Sequence, residues 1–325
     1  MRNMIKIKLI AVFITVLATL IACGGGSSSF SGVPAGDTGG DTGTGGTGSN
    51  TLATLDCATA TAFDPTAFGF STPIVASPDT TMVDDTNTTV ILMHGKTGSP
   101  ASSFLASFQT DMAGQGYKVV APVMPWSTNR WEGTLCEGMA YINQLAELEI
   151  AGGREVVIAG HSMGGVYALI YGVTQPSSVV KALVTIAPGH MMHVSNLLQT
   201  TTAADVQRAK NMVSNGEGDI VKNDFVTLNS GSAIIITTTA NRYLTYHDLE
   251  VVPNLNFVLP NITLPVLWFA GEDDPLTALE GMEALAATIT STGSEYQLLP
   301  SPANHTSVVA LTPDPLNTWL INLGL

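Results

Sequence analysis

Ser162 sits in Gly160-His161-Ser162-Met163-Gly164-Gly165, a G-x-S-x-G pattern. The β-branched run Glu155-Val156-Val157-Ile158-Ala159 leads directly into it, and a helix-like stretch opens at Val166 and runs to Tyr171. A sharp turn between strand and helix lifts a serine hydroxyl out of a sheet. It leaves no room for side chains two residues away, where the glycines stand. The helix behind the serine points its N-terminus at the hydroxyl and favours developing negative charge there. An alkyl hydroxyl needs a base to become a nucleophile, and donors to hold the oxyanion it creates. The backbone N–H of Met163 is one natural donor.

Four histidines follow the serine: His190, His193, His247 and His305. The apolar run 264–269 ends at Gly271-Glu272-Asp273-Asp274-Pro275, so three carboxylates compete for one strand end. His305, in Ser301-Pro302-Ala303-Asn304-His305, is the only histidine after them. His190 and His193 either line a pocket or are polar loop residues. His247-Asp248 reads as surface or cap structure, because side chains of adjacent residues diverge. His94-Gly95-Lys96-Thr97-Gly98 follows the apolar run 90–93, the position of a loop that could supply a second oxyanion donor. His190 and His193 have no acidic partner nearby, and no Walker loop or dinucleotide fingerprint occurs, so neither metal nor cofactor is expected.

The elements that must position these residues alternate. Apolar strands are expected at 90–93, 117–123, 155–159, 182–186, 265–269 and 296–299. Helices are expected at 101–114, 135–150, from 166, at 278–289 and at 313–323. Strands apolar throughout are covered on both faces. Their alternation with helices implies parallel pairing and right-handed crossovers. The reading is α/β, a doubly wound, mostly parallel sheet with the chemistry at the carboxyl ends of strands. Residues 190–261 break the rhythm. They are read as a cap over the sheet edge, with a further irregular helix pair as the alternative.

The serine turn, the His94–Gly98 loop, the acid loop and the late histidine resemble the α/β-hydrolase superfamily over residues 85–325. That resemblance implies the triad order Ser, acid, His. The superfamily's acid sits three residues after the glycine, which gives Asp274, with Asp273 second and Glu272 third; His305 is then the base. It also implies Lys96 N–H as the oxyanion donor beside Met163, and a structural role for His94. The implied activity is carboxylic ester hydrolysis on a small or lipid-like acyl substrate, through an acyl-serine. A serine peptidase or amidase of the same fold, and a non-catalytic binding protein, are the alternatives. Cutinase-like enzymes are similar at the serine turn but lack a long insertion, whereas 112 residues separate Ser162 from Asp274 here. Haloalkane dehalogenases have Asp at the nucleophile position. Pro122-Val123-Met124-Pro125-Trp126-Ser127 and the Lys96 loop look similar to bacterial secreted hydrolases.

Residues 1–23 read as a signal peptide. Arg2, Lys6 and Lys8 precede an uncharged apolar run, Leu9–Ala22, too short for a membrane span of roughly twenty residues. Leu20-Ile21-Ala22-Cys23-Gly24 resembles the bacterial lipobox, which implies lipidation of Cys23 and a membrane anchor. Gly24, in place of a retention-marking Asp, favours the outer membrane or cell surface. Residues 24–50 are mostly Gly, Ser, Thr and Asp and read as a flexible tether. Residues 51–325 form the hydrolase domain. Without the leader the chain keeps 9 basic against 26 acidic residues, a net charge of −17 that disfavours nucleic acid. Cys57 and Cys136 either form a disulfide in an oxidising compartment or remain buried thiols.

Overall fold

Among the described residues, seven strands build the main sheet. The first five strands are β1 (Ile74–Ala76), β2 (Thr88–Met93), β3 (Lys118–Ala121), β4 (Glu155–His161) and β5 (Val180–Ile186). The hairpin β6 (Val221–Asn229) and β7 (Ser232–Thr239) stands apart as a two-stranded antiparallel sheet. Strands β8 (Val266–Gly271) and β9 (Glu295–Leu299) complete the main sheet, whose order is β1-β3-β2-β4-β5-β8-β9. All neighbours pair in parallel except β1, which runs antiparallel to β3. This computed structural model describes residues 57, 59–79, 81, 85–174, 180–279 and 281–325. The signal segment with Cys23 and the tether 24–50 lie outside the described residues.

The uniform apolarity of the strands has the expected consequence. Every residue of β2 is buried, and successive side chains enter different cores. Val90 and Leu92 pack with α1 (Ser103–Gly114), while Ile91 and Met93 pack with α2 (Leu135–Ala151) and α3 (Met163–Thr174). β4 does the same with Val157 and Ala159 on one face and Val156 and Ile158 on the other. A parallel strand covered on both sides has no polar face to show. The helix α2 starts at a capping box: Glu137 N–H donates to Thr134 Oγ1, and Thr134 N–H donates to the Glu137 carboxylate. Such a box satisfies two donors that the first turn otherwise leaves free.

Between β5 and β8 the chain leaves the sheet. The insertion carries α4 (Asn196–Ser214), the β6–β7 hairpin, α5 (Ala240–His247) and α6 (Leu255–Val258). Phe225, Ile236, Tyr243 and Tyr246 from it are buried in the same core as Trp126, Trp131 and Tyr167 of the sheet domain. After β8 come α7 (Pro275–Leu279) and α8 (Met282–Ala286), where the sequence predicts one helix over 278–289; Gly281, with φ +59°, breaks it. The chain ends with α9 (Pro313–Leu323) on the face of α1. Neither β1 nor the hairpin is anticipated by the apolar runs, since both are short of buried residues. A disulfide joins Cys57 to Cys136, Cα–Cα 4.8 Å, and fastens the start of the described chain to the first turn of α2. Among the described residues, no helix is long and apolar enough to cross a membrane.

Candidate active site

The strand order reverses at β2: β3 lies on one side of it and β4 on the other. In a doubly wound sheet the crevice opens at that reversal, beyond the strands' carboxyl ends. The loop after β2 carries Gly95 and Lys96, and the turn after β4 carries Ser162. Ser162 has φ +55°, a left-handed conformation that a non-glycine residue holds only when its surroundings enforce it. The enforcement is close packing of backbone. A Cβ at Gly160 would lie 2.1 Å from Gly164 O, and one at Gly164 would lie 2.5 Å from Met93 O. We expect Gly160→Ala to remove soluble folded protein, read by expression and thermal unfolding, because rigid backbone rather than a movable side chain blocks the methyl.

The serine hydroxyl meets an imidazole. Ser162 Oγ and His305 Nε2 are 2.9 Å apart, and His305 Nδ1 and Asp274 Oδ2 are 2.7 Å apart. Asp274 is 2% exposed, and its other oxygen accepts from Leu276 N–H. The three groups arrive from the ends of β4, β8 and β9, so the sheet itself fixes their spacing. Asp273 and Glu272 point elsewhere. Asp273 accepts from Ser301 Oγ and Ala303 N–H, and Glu272 accepts from Ser301 N–H. Both carboxylates hold the loop that delivers His305. His161, the neighbour of Ser162, donates from Nε2 to His305 O at 2.7 Å and supports the same loop from below.

The loop after β2 lies against the serine: a Cβ at Gly95 would be 2.9 Å from Ser162 Cβ. His94 organises it. Met124 N–H donates to His94 Nε2 at 3.0 Å, so the proton sits on Nδ1 and goes to Gly95 O at 2.8 Å. Trp126 Nε1–H donates to His94 O, Thr97 N–H to Trp126 O, and Ser127 Oγ–H to Gly98 O. Residues 122–127 thus brace the loop that carries Lys96. Their signal in the sequence was the Pro-x-x-Pro-Trp-Ser run directly after a strand, whose structural work sequence reasoning left unassigned. The Lys96 side chain is buried and donates from Nζ to Thr227 Oγ1 and Leu228 O on β6. Thr227 Oγ1–H in turn donates to His247 Nε2, and His247 Nδ1–H donates to Tyr243 O. One hydrogen-bonded chain therefore runs from the loop beside Ser162 into the cap. We expect Lys96→Met, which keeps the backbone N–H, to lower kcat on an ester by about 10–100-fold, since groups that orient an active-site donor contribute at that scale. A wild-type kcat would show that the loop holds itself.

His190 comes to the cavity wall, with φ +70°, and its Nε2–H donates to Tyr246 O. His193 stays in the loop and donates to Val252 O. His247 and Asp248 are in the cap but buried, not on its surface, because His247 stacks between Trp131 and Tyr243. Above Ser162 opens a cavity of ≈ 400 Å³, walled by Val194, Leu198, Leu228 and Leu276 among others. Asp274 is the one carboxylate among its lining residues, and it is engaged by His305. Among the described residues, no cluster of His, Cys, Asp or Glu is arranged to hold a metal ion.

Four histidines are buried and resist protonation. Burial holds His94 down to about 4, and His161 and His247 down to about 3; it lowers His190 well below its usual value. In the unfolded chain each takes a proton near pH 6.5. Below that pH the unfolded state binds more protons, so stability falls with falling pH, and the fall continues until the folded-state values near 4 to 3 are reached. Each neutral histidine contributes a slope of about 1.4 kcal/mol per pH unit in that window. The urea midpoint should therefore drop steeply from pH 6.5 to 4; a flat profile would mean that these imidazoles are charged in the fold.

Fold and site together define an α/β-hydrolase, and the enzyme class is that of the serine hydrolases. A model of the family described as serine aminopeptidase, S33, matches residues 133–305. The chain belongs to that family. Solved structures share the fold at low identity. Monoacylglycerol lipase of Paleococcus ferrophilus is 17% identical, with TM-score 0.56 over 78% of this chain and 100% of that one. A soluble variant of monoglyceride lipase from Saccharomyces cerevisiae, in complex with a substrate analog, is 14% identical, with TM-score 0.56 over 77% and 91%. Est1E from Butyrivibrio proteoclasticus is 15% identical, with TM-score 0.51 over 77% and 93%. No curated protein matches the sequence.

Proposed function

We propose that the protein is a carboxylic ester hydrolase with Ser162 as nucleophile, His305 as general base and acid, and Asp274 as the orienting carboxylate. The observation that carries the reading is the unbroken Ser162–His305–Asp274 hydrogen-bond chain at the floor of a largely apolar cavity. Ser162 Oγ attacks the ester carbonyl carbon while its proton passes to His305 Nε2. Asp274 keeps the imidazole in the required tautomer and stabilises its cation. The backbone N–H groups of Lys96 and Met163 receive the oxyanion, and the N-terminus of α3 lies behind it. Collapse of the tetrahedral intermediate breaks the C–O bond to the alcohol, which takes the proton from His305. Water then repeats the sequence and releases the acid. Two of the similar structures bear the names monoacylglycerol lipase and monoglyceride lipase, which is consistent with this substrate class.

The family's description as serine aminopeptidase raises an aminopeptidase reading. An aminopeptidase must hold a substrate ammonium, and a cavity does so with carboxylates. Here Lys96 and Asp274 are the Lys, Arg, Asp or Glu residues among the described lining, and Asp274 serves the imidazole, so the electrostatics favour esters over free amino termini. Turnover of p-nitrophenyl esters set beside aminoacyl-p-nitroanilides decides between them; faster cleavage of the anilides would reverse the assignment.

We also propose that Cys23 carries a lipid and that residues 24–50 tether the enzyme to a bacterial membrane. The lipobox-like Leu20–Cys23 run and the composition of the tether support this. Cys23→Ala should abolish fatty-acid labelling of the exported protein and move it from the membrane to the soluble fraction.

A further inference from the structure

A second cavity, of ≈ 590 Å³, lies along α4. It is bounded by Asn196, Gln199, Ala203, Val206 and Lys210 on the helix and by residues 247–250 opposite. The positions on α4 recur at the spacing of one helix face, so the groove follows the helix from its first turn to Lys210, roughly 21 Å at 1.5 Å per residue. Asn196 borders both cavities. Met192, Leu198 and Val252 form a small apolar cluster, with Leu228 packed against it. Leu198 and Leu228 face the active-site cavity, and Met192 faces the groove. Met192 and Leu198, packed in one cluster, therefore belong to the linings of different cavities.

We propose that this groove is a distal subsite for the unbranched aliphatic chain of a long ester, and that Leu198 and Met192 form the sill the chain must cross. The inference rests on the ester-hydrolase reading. Met192, Ala203, Val206 and Leu249 of the groove's lining offer apolar surface to such a chain, between polar residues of α4 and residues 247–250. Among the described residues of its lining the one Lys or Arg is Lys210, which is bonded to Asp248 and Glu250, so the far end holds no opening for an anionic tail. Met192 is an unbranched, adaptable side chain suited to a boundary that yields to a ligand. With the sill closed, esters of short and medium chain fill the cavity over Ser162. With the sill lowered, a longer chain continues into the groove.

The test is a p-nitrophenyl ester series from acetyl to palmitoyl on wild type, Leu198→Ala, Met192→Ala, and Leu198→Ala combined with Ala203→Trp. Either single alanine should raise the palmitoyl-to-butyryl ratio of kcat/KM by at least about tenfold, the scale at which a pocket discriminates added methylenes. Ala203 is exposed, so a tryptophan there fits without entering the core; it should fill the groove and reverse the gain of Leu198→Ala. A ratio unmoved in both alanine variants, or a gain that Ala203→Trp leaves intact, overturns the subsite while ester hydrolysis itself stands. Loss of folding in Leu198→Ala leaves Met192→Ala to decide. A wild type that hydrolyses no ester of any length, yet is folded by circular dichroism, overturns the ester reading and the subsite together.

Discussion

Ser162→Ala is expected to lower kcat on a p-nitrophenyl ester by about a millionfold, the scale set by removing a triad nucleophile in other serine hydrolases. The loss should come without unfolding. Ser162 holds its place through backbone, with its N–H donating to Ile186 O and its carbonyl accepting from Gly165 and Val166. None of these bonds uses the hydroxyl. The positive φ of Ser162 is imposed by Gly160, Gly164 and the crossing strand, and alanine meets the same steric field with one atom fewer. Equal thermal midpoints with vanished turnover, and loss of fluorophosphonate labelling, would establish the nucleophile. Retained labelling in a folded Ser162→Ala protein would place the reactive hydroxyl elsewhere.

The second large effect separates neighbouring carboxylates. Asp274→Asn should cost about 10⁴-fold in kcat with little change in KM, because an amide leaves the geometry intact but favours the wrong imidazole tautomer. Asp273→Asn should leave kcat within about tenfold and act on the loop it fastens, since its bonds run to Ser301 and Ala303 rather than to His305. The contrast is what matters. If Asp273→Asn were the more damaging to kcat in folded protein, the assignment of the orienting acid would pass to it.

That contrast also shows where a sequence stops being legible. The strand before Glu272-Asp273-Asp274 and the order of the motifs are visible in residue types alone. The choice among three adjacent acids is not, because it depends on which way a turn after β8 faces; the motif spacing of related proteins pointed to Asp274, and Asp274 is the one that reaches His305. Strands buried on both faces, such as β2 and β4, announce themselves by unbroken apolar runs. The hairpin did not, because one of its faces is polar or exposed and its turn is a short Ser-Gly. In hindsight its alternation was present in Phe225 and Thr227, both buried, between more exposed neighbours. The burial of His247 was hidden for another reason. Tyr243 stands one turn earlier on the same helix, but Trp131 and Thr227 come from two other segments, and nothing local in the sequence joins them to it.

The bridge between Cys57 and Cys136, 79 positions apart in the sequence, closes a covalent ring. Inside the ring lie β1, β2, β3 and α1, and with them the loop of His94 to Gly98; Ser162, Asp274 and His305 all lie outside it. The loop of His94 to Gly98 and the groups it faces therefore belong to topologically different parts of the chain. A protease that cuts once within the ring, for instance between α1 and β3, leaves two pieces that remain one covalent molecule until the disulfide is reduced. Such a nicked protein keeps that loop covalently tethered to the segment that carries the serine turn, so a single cut there does not set it free.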